Sequence, residues 1–207
     1  MSNLGNLLAW GIENSNPTEG EKKTELNPAL LAQLFGNQKS DAELMKEAMA
    51  AIEDPAVSAA DKETAFDNFE MLVEQLDNAN NIENLKLWPP LLAQLSNPDD
   101  KLRRMAAWCC GTAVQNNEKS QQAFLSHGGV PKLVDMMLKD PASDVRRKAV
   151  YALSSAIRNS GPALQQAMDA LPAELKAGRE ELDAQDMEGI DRLMEELRER
   201  SSKVISQ

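Results

Sequence analysis

Residues 138–160 read LKDPASDVRRKAVYALSSAIRNS, and residues 95–117 read LSNPDDKLRRMAAWCCGTAVQNN. Leu95, Pro98, Arg103, Arg104, Ala106, Ala107 and Asn116 recur as Leu138, Pro141, Arg146, Arg147, Ala149, Val150 and Asn159, each 43 positions later. The same step aligns Leu87 with Val130 and Leu91 with Val134, so a whole unit repeats rather than one turn. A looser copy is KETAFDNFEMLVEQLDN, residues 62–78, and Gln121-Gln122-Ala123 is echoed by Gln165-Gln166-Ala167.

Helical patterning fills the unit. Residues 120–126 read as a short first helix, His127-Gly128-Gly129 as a tight turn and residues 130–139 as a second helix stopped by Asp140-Pro141. A third helix runs from Ser143 or Asp144 to Arg158. A period of about 40 to 47 residues built only of helices marks a HEAT or armadillo solenoid. Three helices with a glycine corner after the first favour armadillo. The expected fold is therefore all-α, a right-handed armadillo-repeat solenoid, with a flexible N-terminal arm.

Upstream, Leu4, Leu7, Leu8 and Ile12 form an apolar stripe with Trp10 beside it, and Asn16-Pro17-Thr18-Glu19-Gly20 breaks it. So short a helix is marginal alone in water. Residues 1–25 read as an amphipathic arm, residues 26–172 as the repeat core and residues 173–207 as an acidic helical cap and tail. Asn27, Pro28 and Gly36 bracket one further helix, and Ser40 with Glu43 opens another through Leu44, Met45, Met49 and Ile52. Ser58 with Asp61 starts a longer one, whose stripe includes Ala65, Phe69, Leu72, Val73 and Leu76. In the tail, Leu175, Leu182, Met187, Ile190, Leu193, Met194 and Leu197 would close the open end of the stack.

Composition narrows the function. A formal net charge of −11 opposes nonspecific binding to nucleic acid or to an anionic membrane. No segment approaches the 18 apolar residues of a membrane span. The two cysteines are adjacent, Cys109 and Cys110, in an apolar run, which gives no disulfide framework and fits a reducing compartment. At least one belongs in the core. A soluble monomer in the cytoplasm is expected, and the nucleus is equally compatible.

Catalysis has little to stand on. The single histidine, His127, sits in a structural turn, and HExxH, GxGxxG, the phosphate-loop lysine motif and GxSxG are all missing. No enzyme activity, cofactor or metal is expected. Function belongs instead on the concave surface lined by the third helices. Between residues 101 and 158 ten bases face four acids, a basic middle in an acidic chain that suits a charge-matched protein partner.

Several residues on that surface carry two readings. Arg103-Arg104 and Arg146-Arg147 either brace neighbouring helices or pair with acids such as Asp100 and Asp144 near the helix starts, or else touch a partner. Trp108 and Tyr151, equivalent across the 43-residue step, are core or an aromatic anchor. Arg158 and Asn159 close a third helix or meet a ligand. The run Asp77-Asn78-Ala79-Asn80-Asn81 is small and polar, which permits close approach of a partner backbone or marks a plain loop.

LLAWGIENS at residues 7–15, LDNANNIENLKLW at residues 76–88 and FLSHGGVPKLV at residues 124–134 resemble the fungal members of the armadillo-type nucleotide exchange factors for the 70-kDa heat-shock chaperones, the Hsp70 chaperones. The resemblance implies a co-chaperone whose concave face clasps the outer lobe of the Hsp70 nucleotide-binding domain, releasing ADP and, once ATP enters, the client, with roles in protein quality control and translation regulation. It implies that an arm like Leu4 to Asn14 occupies the chaperone's substrate-binding domain. It places partner contacts at Asn78, Ala79 and Asn80, and on Arg104, Arg147, Arg158 and Asn159. The rival reading is an armadillo adaptor for another protein or peptide, without exchange activity.

Overall fold

The structure, a computed structural model, describes residues 39–179 and 181–203, so the arm positions Leu4, Leu7, Leu8, Trp10 and Ile12 and the helix bracketed by Asn27 and Gly36 lie outside the described residues. The chain divides into two units, Met1–Ser40 and Asp41–Gln207, and the described helices all belong to the second.

Eleven helices are described and, among the described residues, no strand. They are α1 (Asp41–Glu53), α2 (Ala59–Val73), α3 (Leu76–Asn84), α4 (Trp88–Ala93), α5 (Asp100–Val114), α6 (Glu118–Ser126), α7 (Gly129–Lys139), α8 (Ser143–Ile157), α9 (Gly161–Ala170), α10 (Ala173–Lys176) and α11 (Met187–Ser202). A 3-10 turn, Gln94–Ser96, prolongs α4. Two complete three-helix units, α3–α5 and α6–α8, stand between α1–α2 and α9–α11. The third helices stack in a ladder, α2 on α5, α5 on α8 and α8 on α11. That is an armadillo-like solenoid.

Local chemistry places the helix ends. Ser58 Oγ accepts a hydrogen bond from the Asp61 backbone N at 3.2 Å and opens α2. Asn117 Oδ1 does the same for Ser120 N and opens α6. Asn116 and Asn159, one unit apart, both take left-handed backbone with φ of 51° and 58°, a conformation in which asparagine is tolerated. At the corner before α7, Gly128 has φ 71°, and a Cβ on Gly129 would collide with the Phe124 ring. Each glycine has its own reason to be there.

One expected boundary shifts. The stripe ending at Leu76 is cut, because α2 stops at Val73, Gln75 turns to extended backbone and Leu76 starts α3 with 59% of its surface exposed. The unit register also settles at 43 rather than 44 for the first helices. Gln121 is buried, and its counterpart is buried Leu164, one position before the exposed Gln165.

The core runs the length of the ladder. Met45, Met49, Ile52, Phe66 and Phe69 fill its first layer, and Trp88 meets Phe124 edge to face at 5.4 Å. Burying each such side chain contributes about 1.5–3 kcal/mol. Both Cys109 and Cys110 are core, fully buried. Where α5 crosses α8 the contact is tight. A Cβ on Gly111 would lie 2.6 Å from Tyr151 Cε1 and 3.0 Å from Ala152 Cα.

The first arginine of each pair is a clamp. Arg103 Nη1 donates to the carbonyls of Asn97 (2.8 Å) and Pro98 (3.0 Å), and Arg146 Nη1 to those of Asp140 (2.7 Å) and Pro141 (3.0 Å). In both units the guanidinium thus closes the proline turn five and six residues upstream. Its other nitrogens reach the next layer. Arg103 grips the Asp140 carboxylate in a two-pronged pair, Nε to Oδ2 at 2.6 Å and Nη2 to Oδ1 at 3.0 Å. Arg146 Nε and Nη2 instead donate to the backbone carbonyls of Ser201 and Lys203, both at 2.8 Å. Of the acids expected as partners, Asp144 pairs with the second arginine, Arg104, at 3.9 Å, while the two clamps use neither Asp144 nor Asp100.

At the end of the ladder α11 lays Ile190, Leu193, Met194 and Leu197 into the core against α8, and Asp186 Oδ1 caps it by accepting from Gly189 N. Arg179 pairs with Glu196 at 2.6 Å and Arg200 with Glu174 at 3.2 Å.

Candidate partner-binding face

The second arginine of each pair faces outward. The unit step carries Arg104 and Trp108 on α5 and Gln115 at its C-cap, and their equivalents are Arg147 and Tyr151 on α8 and Arg158 at its C-cap. Lys148 Nζ lies 4.5 Å from the centre of the Trp108 ring and 5.1 Å from that of Tyr151, so one ammonium is shared by aromatic faces on two helices. Burial, followed by repulsion from Arg104, lowers the Lys148 pKa. Trp108 and Tyr151 are thus half-buried surface groups, and Tyr151 Oη donates to Gln115 Oε1 at 3.3 Å.

Between α5, α8 and α11 lies a cavity of about 610 Å³, open to solvent, bordered by Gln115, Arg147, Tyr151, Arg158, Arg198 and Ser202 among others. Among the described residues, no acidic side chain lines it. Toward α2 the sign reverses: Glu63 pairs with Lys101 at 3.4 Å, and Glu70, 6% exposed, accepts from Thr112 Oγ1 at 2.6 Å.

The expected contact residues separate into two groups. Asn78 and Ala79 are inside the fold: Asn78 Nδ2 donates to Asp41 Oδ2 at 2.8 Å and to the Leu72 carbonyl at 3.0 Å, and Ala79, 3% exposed, offers its carbonyl to Ser120 Oγ at 3.2 Å. Their small size and amide group serve helix packing, which replaces the expected contact with a partner. The stretch 77–81 is helical, so it is not a loop either. Asn80 is half-buried and its Oδ1 has no hydrogen-bond partner.

The second group is accessible. Arg104 is half-buried, with its Nε 3.9 Å from Asp144 Oδ2, and Arg147 is exposed. Arg158 is half-buried, with Nε donating to Ser154 Oγ at 3.1 Å and Nη2 to Asp191 Oδ1. Asn159 is exposed and its backbone N donates to the Ala184 carbonyl at 3.0 Å. Arg147 and Arg158 meet in the groove. Sequence reasoning missed Arg198, which α11 brings there from outside the repeated units.

Other candidates are structural. His127 Nε2 lies 2.8 Å from Glu83 Oε2 and ties α3 to the corner after α6. Burial drives the thiol pKa of Cys109 and of Cys110 well up, which leaves both inert. Among the described residues, no group of three or more His, Cys, Asp or Glu is placed to hold a metal ion, and no helix is long and apolar enough to cross a membrane.

The ladder of third helices places the chain in a class, the armadillo-like solenoids. The chain belongs to the Fes1 family: residues 4–82 match the family described as nucleotide exchange factor Fes1, and residues 78–171 the SIL1/FES1/HPBP1 C-terminal domain. Relatives include the Hsp70 nucleotide exchange factor FES1 of Gibberella zeae, 52% identical over 97% of this chain and 97% of its own. That of Coccidioides immitis is 45% identical over 96% and 98%. The Neurospora crassa protein of the same description is 48% identical over 97% of this chain and 85% of its own. Among solved structures, an engineered protein that is 17% identical superposes with a TM-score of 0.55 over 78% of this chain and 67% of its own. That likeness concerns the fold alone.

Proposed function

We propose that this chain is an Hsp70 nucleotide exchange factor, a co-chaperone and not a catalytic enzyme. Its relatives at 45–52% identity across nearly the whole chain carry that description, and this is the observation on which the reading rests. The ladder α2–α5–α8 clasps the outer lobe of the chaperone's nucleotide-binding domain, using Arg104, Arg147, Arg158 and Asn159, with Trp108 and Tyr151 as anchors and Asn80 at the edge. A grip that fits only the open cleft binds the open state better, shifts the population toward it, and releases ADP. ATP then enters and the client leaves. Nothing in this scheme needs a phosphate-binding motif on the exchange factor. Residues 1–25 occupy the substrate-binding domain and hinder client return. The factor works as a monomer in the cytoplasm, and it binds neither nucleic acid nor membrane.

The test is stopped-flow release of a fluorescent ADP analogue from a cytosolic Hsp70, chased with ATP. Acceleration that rises with the concentration of this protein supports the reading. No acceleration by folded protein with a matched fungal chaperone would move it to the adaptor role.

A further inference from the structure

We infer that the groove between α5, α8 and α11 is a carboxylate-binding site that takes a short acidic segment of a partner protein. Arg147 and Arg198 border it, and among the described residues neither guanidinium has an ion-pair partner, in a chain with 33 acidic residues. Two arginines on one groove, with no acid among the described residues against either, make a receptor for negative charge. The third arginine shows which charge fits: Arg158, at the same rim, already holds the Asp191 carboxylate. A guanidinium fork matches a carboxylate through two parallel hydrogen bonds, a geometry that lysine cannot offer.

The neighbours agree. Next to the groove Lys148 adds a further positive charge, its Nζ held over the Trp108 and Tyr151 rings. Asn116 and Gln115 present exposed side-chain amides at one wall, groups that pair with the N–H and C=O of an extended backbone. A net charge of −11 repels a long polyanion far more than a segment of a few carboxylates, which favours an acidic peptide over nucleic acid. This inference rests on the reading above, in which Arg147 and Arg158 belong to the partner-binding face, and names the chemistry that the groove on that face takes.

Fluorescence anisotropy of labelled hexaglutamate with the full chain tests this, with hexaglutamine as the neutral control. The Arg147→Gln/Arg198→Gln double variant should lose at least about tenfold in affinity, since two charge-assisted forks are removed. Arg192→Gln, which removes a charge from α11 outside the groove, should stay within about twofold of the wild type. Both groove positions are exposed, so unchanged thermal unfolding checks that the fold is intact. The site is wrong if hexaglutamate fails to bind, if the double variant binds as well as the wild type, or if Arg192→Gln weakens binding equally. Oligothymidylate displacing hexaglutamate at lower concentration would overturn it in favour of nucleic acid.

Discussion

Replacing Arg146 by methionine should lift the C-terminal helix off the ladder. Arg146 is 2% exposed, no carboxylate pairs with it among the described residues, and four backbone carbonyls accept its hydrogen bonds. Methionine keeps most of the volume and removes every donor, so the loss falls on the acceptors. The Ser201 and Lys203 carbonyls end α11 and reach water as that helix moves. That of exposed Pro141 also has water at hand, but that of Asp140 stays buried in the closed turn, and a buried unsatisfied group costs about 1–3 kcal/mol. With the lost packing of α11 added to that one group, the upper end of the range, about 3 kcal/mol, is expected. At roughly 2–4 °C per kcal/mol for a domain of this size, Tm drops by about 6–12 °C. Hydrogen exchange localises the effect. Amides of residues 190–201 should lose about two orders of magnitude of protection, since each 1.4 kcal/mol is tenfold, while α1 and α2 change less. Arg146→Lys should fall between the two, because an ammonium cannot span both carbonyl pairs. Unchanged exchange in α11 together with an unchanged urea midpoint would refute the clamp.

Asp140→Ala strands the Arg103 guanidinium, 12% exposed, and removes the acceptor of the Ala142 N–H, so a loss of about 3–5 kcal/mol is expected in urea unfolding. Arg103→Met with Asp140→Leu should recover most of it. Gly111→Ala adds helix propensity but drives a methyl into Tyr151 and the Ala152 backbone. A net loss of about 1–2 kcal/mol with a changed Tyr151 fluorescence is expected, and a gain would mean the helices part easily. The buried thiols of Cys109 and Cys110 keep their protons far above the pH where unfolded cysteine ionises. The unfolded state therefore binds fewer protons above about pH 8.5, and stability falls as pH rises past that value. Urea midpoints at pH 8 and pH 10 check the sign, and Cys109→Ser/Cys110→Ser should flatten the difference.

The 43-residue step was legible because it is written in local chemistry: a proline turn, an arginine pair and an apolar stripe at helical spacing. What the first arginine of each pair holds was not. Its acceptors are mostly carbonyls, which every residue carries, so no side chain announces them. Leu76 fits the period of α2 by chance, and the break at Gln75 has neither glycine nor proline to mark it. Asn78 and Ala79 read as an open polar patch because a buried amide and an exposed one look alike in sequence, until Asp41 and Leu72 are seen around Asn78. Half of the groove was visible in Arg147 and Arg158. Arg198 was not, since only the docking of α11 brings it near.

The two clamps differ in what they offer the next layer, and that difference sets a rule for lengthening the molecule. Asn97, the counterpart of Asp140, is neutral, and no clamp arginine from an earlier unit reaches it among the described residues. A tandem duplication of Pro98–Asp140 would therefore give every Arg103 an aspartate at the following turn and leave Arg146 to hold the terminal helix unchanged. A duplication beginning one residue earlier and ending at Lys139 would set the first Arg103 against an asparagine. The arginines thus act as connectors with a defined polarity, and they fix the cut points at which this solenoid accepts another unit.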